Sequence, residues 1–314
     1  QLIIFDRYAR QGVLPIIYFD NIARYVQEGG AVLVAAGPDY ASPTSIWRTP
    51  LEQILPAEPS GRTVEAPFLA QLTDAGKRHP VTRGLAGSET SPPHWSHWFR
   101  LVDTRAGSGT TVMDGPDNKP LLVLSREGAG RVGLLLSDHI WLWARGYEGG
   151  GPHLDLMRRL SHWLMQQPDL EEEALRLIVR GRDLLIERQT MADSVGDVTL
   201  TLPSGVTRTV TLSAGEPGLW RGSVRASELG LWRATDGKLN ALVNVGPANP
   251  REFAEVTSTT ETLAPFANAT GGDARRITDS SGHVTLPRIA GLRTGDLQDS
   301  CRKSVDTLPS SADG

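Results

Sequence analysis

Apolar and polar positions alternate with different periods in two parts of the chain. Near the start, "LIIF" (2–5) reads as a short buried strand. "PIIYFDNIARYVQEGG" (15–30) places Phe19, Ile22, Ala23 and Val26 at helical spacing and closes on Gly29-Gly30, a helix C-terminal signal. "AVLVAAG" (31–37) is an unbroken apolar run, as expected of a strand covered on both faces. Strand, helix and strand at this spacing predict a βαβ unit and a parallel sheet. Residues 41–100 are irregular: a short helix is expected in "SIWRTPLEQILP", and "PVTRGL" and "SPPHWSHWF" read as loops pinned by aromatics. "GTTVMDG" and "KPLLVLSREGAGRVGLLLSD" supply three more strands, the last two joined by a hairpin around Gly128-Ala129-Gly130. "PHLDLMRRLSHWLMQQP" (152–168) predicts an amphipathic helix with Leu156, Leu160 and Trp163 or Leu164 on its apolar face, ended by Pro168.

After residue 168 the period shortens to two. "ALRLIVRGRDLLIERQT" (174–190) alternates Leu175, Leu177 and Val179 with Arg176 and Arg180 and turns at Gly181-Arg182-Asp183. "DVTLTLPSGVTRTVTLS" (197–213), "GLWRGSV" (218–224) and "GLWRATDGKLNALVNVG" (230–246) continue the pattern, which predicts an all-β sandwich. The repeated "GLWR" is expected to send one tryptophan per strand, Trp220 and Trp232, into that core. A helix is expected over Thr260–Ala269, or from Pro265 onward. The expected organisation is therefore an α/β domain at 1–168, a β-sandwich at 174–250, a helix with a short strand at 251–284, and a disordered tail or linker at 285–314.

Composition narrows the function classes. In 314 residues, Lys+Arg 32 against Asp+Glu 36 leave a net charge of −4. That balance argues against nucleic acid as a partner. The single cysteine, Cys301, cannot form an intrachain disulfide. No apolar run reaches the roughly 20 residues that span a bilayer. The chain opens inside a strand, so the expectation is a segment of a longer protein, with any membrane contact made through flanking helices.

Several polar groups fall where chemistry is expected. Ser137-Asp138-His139 ends a buried strand, and strand carboxyl ends are where α/β proteins hold ligands. His139, with Asp138 or Asp39, is the best candidate for proton transfer. His94 and His97 in "HWSHW" have a spacing that suits a metal, with Asp103 or His79 as distant further donors, but no local third ligand follows and no metal is expected. "GYEGGGPH" (146–153) precedes a helix and offers an anion cradle, a lid or a tight connection. Tyr40, Trp95, Trp98, Ser137, Trp141, Trp143 and Tyr147 are expected to line a ligand crevice. No cofactor is expected.

"YVQEGGAVLVAAG" followed by "GAGRVGLLLSDHIWLW…LMRRLSHWLM" resembles a class I glutamine amidotransferase-like module of bacterial membrane proteins, related to the ThuA-like group. The resemblance covers residues 1–168 and implies a flavodoxin-like α/β fold. The β region resembles the Ig-like sandwiches appended to bacterial envelope proteins. The catalytic pattern does not carry over. The resemblance asks for a cysteine nucleophile, absent from residues 1–300, and for His-x-Glu, where His139 is followed by Trp141. Without a thiolate His139 has nothing to activate.

The expectation is a non-catalytic binding or assembly module for a protein partner or small ligand, in the periplasmic part of a bacterial membrane protein. The alternative is a ThuA-like hydrolase or carbohydrate-processing enzyme using His139 with Asp138 or Asp39.

Overall fold

The computed structural model describes residues 1–105, 107–246, 259–261, 263–271, 274, 277, 283 and 284. The chain divides into two units, Gln1–Gly246 and Pro247–Gly314. In the first, the strands are β1 (Leu2–Asp6), β2 (Ala31–Ala35), β3 (Pro59–Val64), β4 (Gln71–Leu72), β5 (Leu101–Thr104), β6 (Thr110–Asp114), β7 (Pro120–Glu127) and β8 (Gly130–Leu135), then β9 (Ala174–Arg180), β10 (Asp183–Gln189), β11 (Val198–Thr201), β12 (Thr207–Val210), β13 (Ser213–Ala214), β14 (Leu219–Arg225), β15 (Gly230–Thr235) and β16 (Asn240–Val245). Its helices are α1 (Ile16–Gln27), α2 (Asp74–Arg78), α3 (Trp141–Ala144) and α4 (His153–Leu164).

β1, α1 and β2 form the expected parallel βαβ unit, and β8 adds in parallel to β2. The remaining strands overturn the flavodoxin-like α/β expectation. β7 runs antiparallel to β8, β6 to β7 and β4 to β6, giving a mixed six-stranded sheet in the order β1-β2-β8-β7-β6-β4. A parallel neighbour needs a crossover of a dozen or more residues, whereas the tight turn between Glu127 and Gly130 allows only an antiparallel return. The described residues hold sixteen strands in four sheets and only five α-helices, so the chain is predominantly β. The amidotransferase-like architecture drawn from the resemblance is corrected with it.

Two cores hold this unit together. β2 and β8 are buried along nearly their whole length, which explains their unbroken apolar runs. α1 contributes Phe19, Ala23 and Val26, spaced i, i+4, i+7, and α4 contributes Leu156, Leu160, Trp163 and Leu164. Full burial of each large side chain contributes roughly 1.5–3 kcal/mol. α1 ends in a Schellman cap: the Gly29 N–H reaches Val26 O at 2.9 Å, the Gly30 N–H reaches Tyr25 O at 2.8 Å, and Gly29 takes φ +114°. α4 ends at Leu164, earlier than Pro168 suggests, through the same pattern built on Gln166 at φ +60°. A non-glycine residue there is strained, and the Gln166 amide offsets this by donating to Gly29 O and Ala129 O at 3.1 and 2.8 Å. The helix expected after Ser45 is instead two short 3₁₀ turns, Ile46–Arg48 and Pro50–Gln53, capped by the Ser45 and Thr49 hydroxyls.

The second core lies among two four-stranded antiparallel sheets, β13-β14-β10-β9 and β12-β11-β15-β16. Trp232 is fully buried there, while Trp220 only packs against the cluster, so the two "GLWR" tryptophans are not equivalent.

Three consecutive carboxylates clasp the two lobes. Glu171 meets Arg126 and the buried Arg131; Glu172 accepts from the Trp163 indole at 2.9 Å and meets Arg126 and, at 3.3 Å, His79; Glu173 meets Arg188 at 2.7 Å and Thr190. Arg131 also lies 4.9 Å above the Trp163 ring. Arg78–Asp193 and Arg83–Gln189 contacts join the lobes directly.

In the second unit a helix, α5 (Ala264–Ala269), carries Pro265 in its first turn, where a missing N–H costs nothing. The tail from residue 285, with Cys301, lies outside the described residues.

Candidate functional site

β1, β2 and β8 end side by side, and the polar residues that follow them meet. After β8 the chain turns at Ser137, whose buried hydroxyl donates to Arg100 O at 2.6 Å and accepts the His139 N–H at 3.2 Å. Asp138 therefore points back into the protein. Its carboxylate, 4% exposed, lies 3.2 Å from Arg7 Nε and 3.1 Å from an Arg100 guanidinium nitrogen. Arg7 follows β1 directly and lies against Gly37, where an added Cβ would sit 3.1 Å from the Arg7 side chain. Arg100 also meets Glu65 at 3.3 Å.

His139 Nδ1 accepts the backbone N–H of Phe99 at 3.1 Å, so the ring proton of the neutral imidazole resides on Nε2. Nε2 stands 3.7 Å from Asp138 Oδ1, too far for a strong hydrogen bond. Desolvation lowers the His139 pKa despite the opposing pull of Asp138. The ring is accordingly neutral near pH 7, held by backbone and not by a carboxylate.

The Ser-Asp-His stretch is thus brought together, but each member is committed to an internal partner. The serine proton belongs to a carbonyl, and Asp138 is compensated by two guanidinium groups. Asp39 lies in a 3₁₀ turn, Pro38–Ala41, where its carbonyl accepts from the Ser42 N–H and hydroxyl, and among the described residues its side chain forms no hydrogen bond or ion pair with His139.

The expected crevice aromatics separate into two groups. Tyr40, Trp95, Trp98 and Trp143 are buried. Trp143 packs against Trp95 and Trp98 with ring centroids 5.1 and 4.8 Å away, and the Tyr40 hydroxyl donates to Ala57 O at 2.8 Å. Burial raises the Tyr40 pKa strongly. These four are core. Trp141 and Tyr147 are exposed, at 53% and 39%. Phe99 and His139 complete the rim: Phe99 contacts His139 and Tyr147 edge-on at 6.4 and 5.8 Å, and Trp141 contacts His139 at 6.5 Å. Arg7, Phe99 and Arg100 are additions of the structure. Arg7 had a signal available, since it too follows a strand; Phe99 and Arg100 sit in an irregular loop and had none.

In "HWSHW" only His97 has a carboxylate partner among the described residues. His97 Nδ1 bonds Glu148 Oε2 at 2.7 Å, a contact that lowers the Glu148 pKa. His94, His97 and Glu148 line a shallow cleft, but His79 is buried beside Glu172 and Asp103 is held by Lys119, Ser60 and Arg62. Among the described residues no three His, Cys, Asp or Glu side chains gather closely enough to hold a metal ion. The glycine loop is a tight connection: a Cβ on Gly151 would fall 2.4 Å from the Trp143 ring, and the Ser96 N–H donates to Gly150 O at 2.8 Å.

Fold and site together define a β-rich first unit with two cores and a polar strand-end cluster beneath an aromatic rim. No family model matches the chain, and no curated protein matches it. Among solved structures it is similar to a cytoplasmic protein of Salmonella typhimurium, with 16% identity, TM-score 0.42, and coverage of 52% of this chain and 71% of that one. It is also similar to the β-galactosidases of Rahnella sp. R3 (14% identity, TM-score 0.37, 71% of this chain) and Bacillus circulans sp. alkalophilus (11%, 0.35, 72%). The match spans 32% and 33% of the length of those two enzymes. Among the described residues no helix is long and apolar enough to cross a membrane.

Proposed function

We propose that this chain is a non-catalytic binding module that engages a protein or small ligand through the rim formed by Phe99, His139, Trp141 and Tyr147. One observation carries the reading: the Ser137 hydroxyl donates to the Arg100 carbonyl, and His139 Nδ1 accepts the Phe99 N–H, which leaves the proton on Nε2 and no ring nitrogen free to act as a base. A nucleophile and its base must be within reach of each other and of a substrate. The rim offers what recognition needs, large rigid rings of low entropy cost on a platform braced by two arginines.

Two measurements test this. Turnover of p-nitrophenyl acetate and ammonia release from glutamine are expected to be indistinguishable between the chain and its His139→Ala variant; saturable turnover lost in that variant overturns the reading. A fragment screen by protein-observed NMR is expected to yield hits that shift the Trp141 indole N–H, and a screen in which no hit shifts it counts equally against the rim.

A further inference from the structure

A cleft of about 700 Å³ lies between the two lobes of the first unit, walled by the β4–α2 segment and residues 83–93 on one side and by Glu216 and Pro217 on the other. Its ionisable groups are Asp74, Lys77, Arg83, Glu89, Asp114 and Glu216. Four are carboxylates and two are cations.

Both cations are already engaged. Lys77 Nζ bonds Asp74 at 2.9 Å. Arg83 donates to Gln189 and feels the field of Glu216. Among the described residues Asp114 and Glu89 form no ion pair, although the charge of Lys77 is felt at Asp114. Asp114 ends β6, half-buried, and among the described residues its carboxylate accepts a hydrogen bond only from its own backbone N–H. Burial raises its pKa, and its backbone hydrogen bond and the charge of Lys77 offset this only in part. A partly desolvated carboxylate facing an open cleft gains most from a charge-assisted hydrogen bond brought by a ligand. Anions meet net repulsion from this lining. The described acidic groups do not gather in the close set a metal ion requires. Leu72, Pro93 and Pro217 give the walls an apolar surface that suits a hydrocarbon stem.

We propose that this interlobe cleft is a binding site for a small organic cation, a primary amine on a short apolar stem, with Asp114 as its principal anchor. The ammonium donates to Asp114, with Glu89 and Glu216 adding to the negative field. The site is separate from the aromatic rim, so each reading stands or falls by itself.

The test uses calorimetry and ligand-observed NMR on the full chain, with 1,4-diaminobutane as probe and 1,4-butanediol as its uncharged counterpart. The diamine is expected to bind and the diol not. Asp114→Asn, checked for an unchanged melting transition, is expected to weaken diamine binding at least about tenfold. Glu58→Gln, in a different cleft, is expected to leave it unchanged. Should Asp114→Asn fold poorly, Glu216→Gln on the exposed facing wall serves, with at least a roughly threefold loss expected from its removed charge. Diamine binding is also expected to weaken as the solution is acidified, because the Asp114 carboxyl must give up its proton. Asp74, Lys77, Arg83, Glu89 and Glu216 face the same cleft. Absence of saturable diamine binding, equal binding of the diol, or an unchanged affinity in both variants overturns the proposal.

Discussion

The Ser137 hydroxyl donates its proton to the Arg100 carbonyl across 2.6 Å, joining the end of β8 to the loop that carries Trp98 and Phe99. A residue that looks like a nucleophile in the sequence is therefore a brace. Ser137 is fully buried and Arg100 half-buried, so water replaces the bond only poorly when it is removed.

Ser137→Ala is expected to destabilise the chain by about 1–2 kcal/mol, the cost of leaving the Arg100 carbonyl unpaired. Chemical denaturation checks this. A loss below about 0.3 kcal/mol contradicts the bracing role.

Acid should loosen the lobe clasp at His79 and Glu172. His79 Nδ1 accepts the Val81 N–H at 3.2 Å, so Nε2–H faces Glu172, and desolvation lowers the His79 pKa below 6.5. The unfolded chain thus binds the histidine proton first, and stability falls as pH drops from about 6.5 through the folded value. Glu172 is brought from 4.5 down to about 2, its hydrogen bonds to His79 and Arg126 outweighing desolvation. Its contribution, on the order of 3 kcal/mol, is present above pH 4.5 and lost between there and pH 2. Denaturation midpoints followed from pH 8 to pH 3 are expected to decline throughout the acid range, and His79→Gln to flatten the upper part. A flat profile between pH 7 and pH 4 excludes the mechanism.

The buried tryptophans should respond differently to the same substitution. Trp95 Nε1 donates to Ala86 O at 2.8 Å, whereas Trp98 Nε1 has no partner among the described residues. Both lose similar volume on conversion to Phe. Trp95→Phe is expected to cost about 1 kcal/mol more than Trp98→Phe, the worth of one hydrogen bond. Equal melting temperatures speak against that account.

Gly218 sits where the lobes touch. It takes φ +75°, and a Cβ there would come within 2.9 Å of both Arg78 O and Thr190 O. Gly218→Ala is expected to destabilise by roughly 1–3 kcal/mol through strain and steric displacement. The proteolysis rate between residues 190 and 218 is expected to rise with it; an unchanged melting transition counts against the close contact.

Much of the local structure is written in the residues. The i, i+4, i+7 face of α1, the glycine pair that caps it, and the uninterrupted apolar runs of β2 and β8 each reflect one element and its own burial. The hairpin at Gly128 is equally local. The flavodoxin-like arrangement, in contrast, depends on how strands line up beyond that hairpin. Antiparallel β6, β7 and β8 follow one another through short connections, whereas short β4 reaches β6 across most of the irregular stretch, at Gln71–Asp114 and Leu72–Met113. A resemblance carried by β2, β8 and α4 says nothing of that half of the sheet.

What the amino-acid sequence determined alone was the strongly periodic elements, among them α1, β2, β8 and α4, and which faces they bury, because periodicity and capping are properties of neighbouring residues; β3, β4 and α2, inside the irregular stretch, were not legible this way. Only the tertiary structure decided that Trp95 and Trp98 each pack a ring against Trp143 while Trp141 stays exposed. It alone joined Arg7 and Arg100, 93 positions apart in the chain, on one carboxylate. The reason is geometric: the direction a side chain takes at a strand end follows from the backbone of elements that fold against it from far away, and no local pattern encodes that approach.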